Sequence, residues 1–506
     1  MENVLIGVGG TGARVLEAFA YLSAAGVLGE KIPKVNMRMI EMDTDNGNLG
    51  RLHKILESYS NCYGSVFSHV RDWKARKIIY KDAAPFVWQV GVEGDANTLA
   101  GKFNQGTENK DLLHGLYGSE DLHITLEKGC KGRPRVGALE YTKRFNDDIK
   151  PDNSNSFWNN LFTGDIMTAQ TDGTLRVMLT GSMFGGSGAS GVPNLAKLIK
   201  RKFCVGNGNE VGLTLMSPFF NYNDTAVIDN FGAESRKFMI NSKAALLYYD
   251  QSDILDEMHS LYVIGGKVKP MKKSDGSAAA DSAGAKSQCN PAMPALLVAA
   301  LSAIDFFLKA DNKNAGQSVI ANTNHELESD WRSYPYNEEL KKGLIQLQRL
   351  SLLWRVIGDK AASTSSKSKD WESLCGKYIG LMGGGKQAFN PSVFLEKTSG
   401  IREFFLGQVE RTEPNMPWNI GAEGFLQELE KNGMGEAIDI TKDIIHVDKM
   451  RFDNPVDVAA PIAGIPFRDL HDNLTRNSSV NVGKIGGDEE RRAKFIAGAT
   501  LACLLK

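Results

Sequence analysis

Cysteine is scarce and scattered in this chain: Cys62, Cys130, Cys204, Cys289, Cys375 and Cys503, with no C-x-x-C pair. That pattern excludes a disulfide framework and a zinc site built on cysteine pairs, and it fits a reducing compartment. An excess of either charge is also missing. Lys and Arg number 59 against 60 Asp and Glu, so no global field recruits nucleic acid or an anionic membrane. No apolar run approaches the roughly 18 residues of a membrane span. The opening MENVLIGVGG has neither the basic start nor the cleavage site of a signal peptide, so a cytoplasmic location is expected. A Walker sequence is absent too: Gly383-Gly384-Gly385-Lys386-Gln387 has the lysine but not the following hydroxyl or the preceding strand. There is no internal repeat.

Glycine, by contrast, is plentiful, with 52 residues in 506. At that length, 42% hydrophobic and 24% charged residues suit a soluble chain of two or three domains. From 1 to 265 short apolar runs alternate with amphipathic stretches, the pattern of an α/β layered domain. Strands are expected at 3–8, 36–42, 175–181, 210–217 and 260–265, and helices at 11–25, 135–149, 191–203 and 224–249. The stretch 266–289 is rich in Lys, Ser, Ala and Gly without apolar periodicity, and reads as a mobile surface insertion. The helix expected at 291–309 carries Leu296, Leu297, Val298, Leu301, Ile304, Phe306 and Phe307 on nearly every side, so it should be buried between domains. A second half, 311–506, follows with a helix near 337–358 and a last one near 488–505.

Two glycine-rich loops hold the chemistry. The first, IGVGGTGARV, follows the run Val4-Leu5-Ile6 and contains Gly9, Gly10, Thr11 and Gly12. The second, Gly185-Gly186-Ser187-Gly188-Ala189-Ser190-Gly191, follows the run 175–179 and should open a helix at Val192. Glycine lets successive main-chain N–H groups turn towards an anion, and a following helix adds the positive end of its dipole. The first loop alone also matches G-x-G-x-x-G, which suits a dinucleotide equally well, or a tight strand-to-helix turn and nothing more. A second cradle has no place in a nicotinamide-binding fold. Two loops suggest a polyphosphate gripped from both sides.

Asp43 and Asp45, beside the first loop, have the spacing to hold magnesium or its waters, although Asp45 would equally cap the next helix. Between the loops lies Gly129-Cys130-Lys131-Gly132-Arg133-Pro134-Arg135-Val136-Gly137. Its Gly132, Arg133 and Arg135 would suit a terminal phosphate, or form a solvated basic turn.

Together these segments resemble the tubulin/FtsZ superfamily of GTPases, in its divergent prokaryotic branch. GVGGTGARV is similar to that family's first phosphate loop, GVGGGGGNAV in FtsZ-type chains. Met42-Asp43-Thr44-Asp45 is similar to its Asn-Thr-Asp, and Gly132-Arg133-Pro134-Arg135-Val136-Gly137 to its γ-phosphate loop. Phe184-Gly185-Gly186-Ser187-Gly188-Ala189-Ser190-Gly191 resembles the signature G-G-G-T-G-[ST]-G, with Phe184 in place of the first glycine. Ser217-Pro218-Phe219-Phe220-Asn221 resembles the loop near the ribose. The resemblance covers 1 to about 225.

The resemblance implies a Rossmann-like GTP-binding domain (1–265), the insertion 266–289, a central helix (290–310) and a C-terminal α+β domain (311–506). It implies GTP or GDP with Mg²⁺ as cofactors. Asn221 would lie near the ribose, Asn290 would read guanine, and Asp311 would orient the attacking water in a neighbouring subunit's site. Self-association into filaments follows, with 266–289 and the C-terminal half as surfaces for protein partners, and no nucleic acid or membrane. Two other readings stand beside it: a Rossmann-type enzyme using NAD or ATP, and a tubulin-like scaffold without hydrolysis.

Overall fold

In the computed structural model, the residues described are 1–42, 47–65, 67, 74–90, 98–103, 107–126, 129–130, 132–206, 208–221, 235–266, 268–270, 272–273, 288–289, 292–309, 318–322, 336–363, 399–407 and 420–430. Their centre is one eight-stranded, all-parallel sheet. Its strands are β1 (Glu2–Val8), β2 (Lys34–Glu41), β3 (Lys77–Ile79), β4 (Val87–Gln89), β5 (Leu175–Ser182), β6 (Glu210–Met216), β7 (Ser260–Ile264) and β8 (Ser318–Asn322). The strand order is β8-β7-β6-β5-β1-β2-β3, and β4 also pairs with β2. Parallel strands buried on both faces need near-continuous apolar runs, and β5, LRVMLTGS, is buried at every position.

Alternate side chains feed two cores. Leu5, Met37, Met39, Met178, Met216 and Tyr262 face one layer of helices. Val4, Ile6, Val8, Ile40, Leu179 and Leu213 face the other. The first layer holds α1 (Gly9–Ala24), α2 (Gly47–Ser65) and the helix Pro294–Lys309; the second holds α3 (Pro134–Asp148) and α4 (Gly186–Lys202). A mixed α/β fold of three layers results, as the alternation of runs predicts.

The apolar helix expected at 291–309 is α6 (Pro294–Lys309), with every residue from Pro294 to Phe307 buried. Ahead of it, α5 (Arg236–Gln251) links β6 to β7. Helices α7 (Asn337–Ser363), α8 (Ser399–Leu406) and α9 (Gly421–Leu429) pack into the same core as α1 and α2. Tyr21 of α1 stacks on Phe425 at 4.4 Å between centroids, and Trp354 stacks on Phe405 at 6.1 Å. Each such ring carries about 1.5–3 kcal/mol of burial. Within 266–289, Lys269–Pro270 pairs with Phe220–Asn221, and Lys272–Lys273 pairs with Gln288–Cys289.

The β1-to-β3 half of the sheet grows one way from the centre, and β5 to β8 grow the other. The reversal falls between β1 and β5, which are in register from Glu2↔Leu175 to Gly7↔Thr180. At such a point the connections leave on opposite faces, and a crevice opens at the carboxyl ends of the two strands. Both glycine loops sit at those ends.

Candidate functional site: a crevice lined by glycine turns

Both loops wind directly into helices. The helix after β1 begins at Gly9, and the one after β5 begins at Gly186, well before the expected start at Val192. The signature glycines are therefore the first turn of α4 rather than a loop leading to it. Glycine within a helix usually disfavours it, which hid this start in the sequence.

The first-turn N–H groups of a helix have no acceptor inside it and need one from elsewhere. Side-chain caps normally help, yet none is present at the N-caps of α1 (Val8), α3 (Arg133) or α4 (Gly185). No acidic residue stands in any of these first turns. At α1 and α4 this leaves the positive helix end for an outside anion. Helix α3 instead opens on Pro134, which has no N–H, and the Arg133 and Val136 N–H groups donate to the Cys130 and Arg133 carbonyls.

The turns converge. Gly9 has φ +67°, and a Cβ built on it would lie 3.0 Å from Ser187 Cβ and 3.8 Å from the Gly188 nitrogen. A Cβ on Gly181 would meet the Val8 carbonyl oxygen at 3.1 Å. The basic turn closes on the same place: a Cβ on Gly129 would lie 3.2 Å from Ser187 Oγ, and one on Gly186 only 2.5 Å from Cys130 Cβ. These approaches explain why the three segments need residues without side chains.

Accessible surface in the crevice comes from Gly10, Thr11, Gly185, Ser187, Ala189, Gly132 and Arg133, all half-buried. Gly12, Gly186 and Gly188 are buried beneath them. Ser190 is buried as well, and its hydroxyl donates to the Gly186 carbonyl at 2.6 Å, back into its own helix. Of the two hydroxyls in the loop, only that of Ser187 is left on the accessible side.

Both arginines of the middle turn are held by acids. Arg133 donates to Asp121 at 2.7 Å and to Glu120 at 2.9 Å, and Arg135 pairs with Asp121. Asn221 is exposed at the end of its two-residue ladder. Phe184 packs its ring against Phe219, Phe220 and Phe238 at 4.8–6.1 Å. Arg14 of α1 lies over the Phe219 ring at 5.2 Å, tying the first loop's helix to the Ser217–Asn221 segment. Asp43, Asp45, Asn290 and Asp311 lie outside the described residues. Among the described residues, no three His, Cys, Asp or Glu side chains gather where a metal ion would be held.

Three further side chains join the site, of which Asn48 and Asn241 carry no signal in the sequence. Asn48, at the start of α2, has its Nδ2 2.8 Å from where a Cβ on Gly10 would be. Cys130 is buried between Gly137 and Gly186. Asn241, on α5, donates its amide to the carbonyls of Gly132 (3.2 Å) and Phe184 (3.0 Å), and so bolts the second and third turns together. Beneath them, the Tyr141 ring packs on Gly191, and its phenol is pushed well above its ordinary range, chiefly by burial. It stays protonated and neutral under a site made for negative charge.

No protein-family model matches the chain, and no curated protein matches it. Among solved structures it is similar to CetZ1 from Haloferax volcanii, a GDP-bound monomer, with 11% identity, a TM-score of 0.26 and coverage of 52% of this chain and 51% of that chain. It is also similar to CetZ2 from Haloferax volcanii, a GTPγS-bound protofilament, with 12% identity, a TM-score of 0.29 and coverage of 61% and 59%. The chain thus spans between half and three fifths of the structures it matches. Among the described residues, no helix is long and apolar enough to cross a membrane.

Proposed function

We propose that this chain is a tubulin-like GTP-binding protein that polymerises head-to-tail into nucleotide-dependent filaments and hydrolyses GTP at the subunit interface. One observation carries the reading: the uncapped N-termini of α1 and α4 and the glycine-bearing turn ahead of α3, distant in sequence, meet at the switch point of a parallel sheet. A single dinucleotide needs one such terminus. A triphosphate has charge enough to occupy several.

The residues present fit the group. The N–H groups of Gly10 and Thr11 would hold one side of the phosphates, and those of Ser187 and Gly188 the other, with Ala189, whose N–H donates to the Gly185 carbonyl, alongside. Gly132, Arg133 and Arg135 would face the terminal phosphate. Asn221 would approach the ribose, Asn290 would read guanine, and Asp43 with Asp45 would hold Mg²⁺ or its waters. Bound GTP supplies the phosphoanhydride bond whose cleavage is the chemistry. The chain's own part is positioning and charge neutralisation, which phosphoryl transfer mainly requires. Asp311, from a stacked copy, would orient the attacking water. A contact of that kind is heterologous and does not close on itself, so filaments follow.

The reading includes a nucleotide domain at 1–265, a central helix joining it to a C-terminal domain, partner surfaces at 266–289 and in the C-terminal half, and a cytoplasmic location. The test is to identify the nucleotide that co-purifies, then sediment the protein with GTP, with GDP and with neither, while measuring phosphate release. GTP-dependent pelleting with phosphate release is expected. Pelleting without release would assign a scaffold, and retention of NAD or ATP without GTP a Rossmann-type enzyme. Monomers in all three conditions would refute the filament reading.

A further inference from the structure

Hydrophobic side chains left in water are concentrated on one helix. Among the described residues, five of the eleven large hydrophobic side chains that stand exposed belong to α5: Met239 and Ile240, each 68% exposed, with Leu246, Leu247 and Tyr248. At 3.6 residues a turn these positions, together with Lys243, Ala244 and Asp250, fall on one side of the helix. The other side carries Phe238, Ser242 and Tyr249, all buried, and Asn241, whose amide is bonded to the crevice turns. The apolar face is therefore held pointing outward on an anchored helix. One flank is closed by α4, whose Lys197 ammonium lies 5.6 Å from the centre of the Tyr248 ring. Single leucines at a surface need no explanation, but a contiguous run of this kind marks an interaction surface.

The charges on α5 decide what fits it. Its first turn has no acid and its last turn has no base. Lys237 and Lys243 stand exposed in its first half, and Asp250 is exposed at its end, with exposed Asp253 just beyond. Both ends thus oppose the helix dipole, which favours anions at the start and cations at the finish. A second copy of the helix laid antiparallel reverses the mismatch. Lys243 of each copy then lies beside Asp250 of the other, and Leu246 and Leu247 of both copies close the centre. The face is self-complementary, as a twofold contact requires. A partner surface of one sign would satisfy only one end of it.

We infer that the outer face of α5 is a twofold pairing surface whose partner is a second copy of this chain. The contact is isologous and leaves the crevice residues untouched, so it is separate from the head-to-tail contact proposed above. A helix of 16 residues is about 24 Å long. One such face is smaller than the roughly 800 Å² a side of a standard interface, so the dimer forms in the micromolar range.

Sedimentation velocity of the full chain without nucleotide, over about 1–100 µM, reads the monomer–dimer equilibrium. A concentration-dependent dimer is expected. Leu247→Lys places a charge at the centre from both copies and should abolish the dimer throughout that range. Lys243→Asp and Asp250→Lys should each weaken it about tenfold, because twofold symmetry repeats every lost pair. The two substitutions together should restore it to within about threefold, a rescue that damage to the surface would not give. All three positions are exposed, so the variants should keep the native fold, which circular dichroism checks. A native chain that stays monomeric would overturn the inference, and so would charge variants that fail to compensate. Native monomers whose Leu247→Lys variant melts earlier would assign the face to another segment of the same chain, and the pairing would again be overturned.

Discussion

The side-chain amide of Asn241 donates to the main-chain oxygen of Phe184 at 3.0 Å, and the same nitrogen reaches Gly132 at 3.2 Å. A residue on a helix after β6 thus fixes the spacing of two turns that lie before and after β5. Replacing it with alanine leaves two carbonyls short of a donor, a loss of about 1–3 kcal/mol. Asn241→Ala should lower the denaturant midpoint and weaken GTP binding by several-fold. Asn241→Asp should do worse, because a carboxylate would face two carbonyl oxygens. Unchanged affinity in both variants would show that the turns hold their spacing without the bolt.

Gly9 has a left-handed backbone, and its missing side chain leaves room for Ser187. An L-residue in that conformation costs about 1–2 kcal/mol before any contact is counted. Gly9→Ala should therefore reduce stability by at least that amount and cut GTP affinity by about tenfold or more, since the Cβ would push the two cradles apart. Gly115→Ala is the control: its Cβ would meet nothing within 4 Å, and it lies inside the helix Thr107–Leu116. There alanine should be neutral or slightly stabilising. Equal behaviour of the two variants in a binding assay would count against a shared crevice.

Much of the sheet could be read in the sequence. The runs at 3–8, 175–181 and 210–217 became strands within a residue or two, because a buried parallel strand is near-continuously apolar. The all-round apolar pattern of 291–309 likewise foretold a buried helix. What escaped was long-range. Asn241 meets two of the turns through its side-chain amide and Asn48 lies against Gly10, and such long-range approaches leave no period in a sequence. The early start of α4 was masked by its glycines, whose poor helix propensity is overridden by the strand before it and by packing on β5. The expected helix at 224–249 appears as Arg236–Gln251, with 222–234 outside the described residues. Ser190 looked like a phosphate ligand because hydroxyls are common there. Only the folded chain shows its bond to Gly186.

The β2–β3 edge of the sheet depends on an ion pair with almost no access to water. Arg38 and Asp165 side chains are 0% and 4% exposed and 2.9 Å apart. Asp165 also accepts from the Ala83 and Ala84 amides, and Arg38 donates to the Met37 and Ile79 carbonyls. The Arg38 Nε is left without a partner, so the pair itself adds little to stability, but removing half of it strands a buried charge. Asp165→Ala should destabilise by about 3–5 kcal/mol. Asp165→Asn should be milder, because its oxygen still accepts one amide. Urea unfolding monitored by circular dichroism checks the order, and an alanine variant within 1 kcal/mol of the native chain would show that Arg38 finds another partner.

Acid should destabilise the fold before its carboxylates titrate. His53 is held below the usual imidazole range by burial first and by the Lys81 charge second, against a smaller opposing pull from Glu57. Burial also leads for His259, with Arg176 and Lys200 adding to it and Glu210 opposing. Both rings are half-buried against an aromatic neighbour, Phe86 for His53 and Phe306 for His259. When a folded-state pKa is depressed, the unfolded chain binds the extra proton first. Stability from these groups is then complete above the ordinary value of about 6.5 and is lost as pH falls from there through the lower folded values. Unfolding free energy should accordingly rise with pH between about 5 and 7. In His53→Gln with His259→Gln the slope across that interval should flatten, while stability near pH 8 changes less. A slope as steep in the double variant as in the native chain would assign the acid sensitivity to other groups.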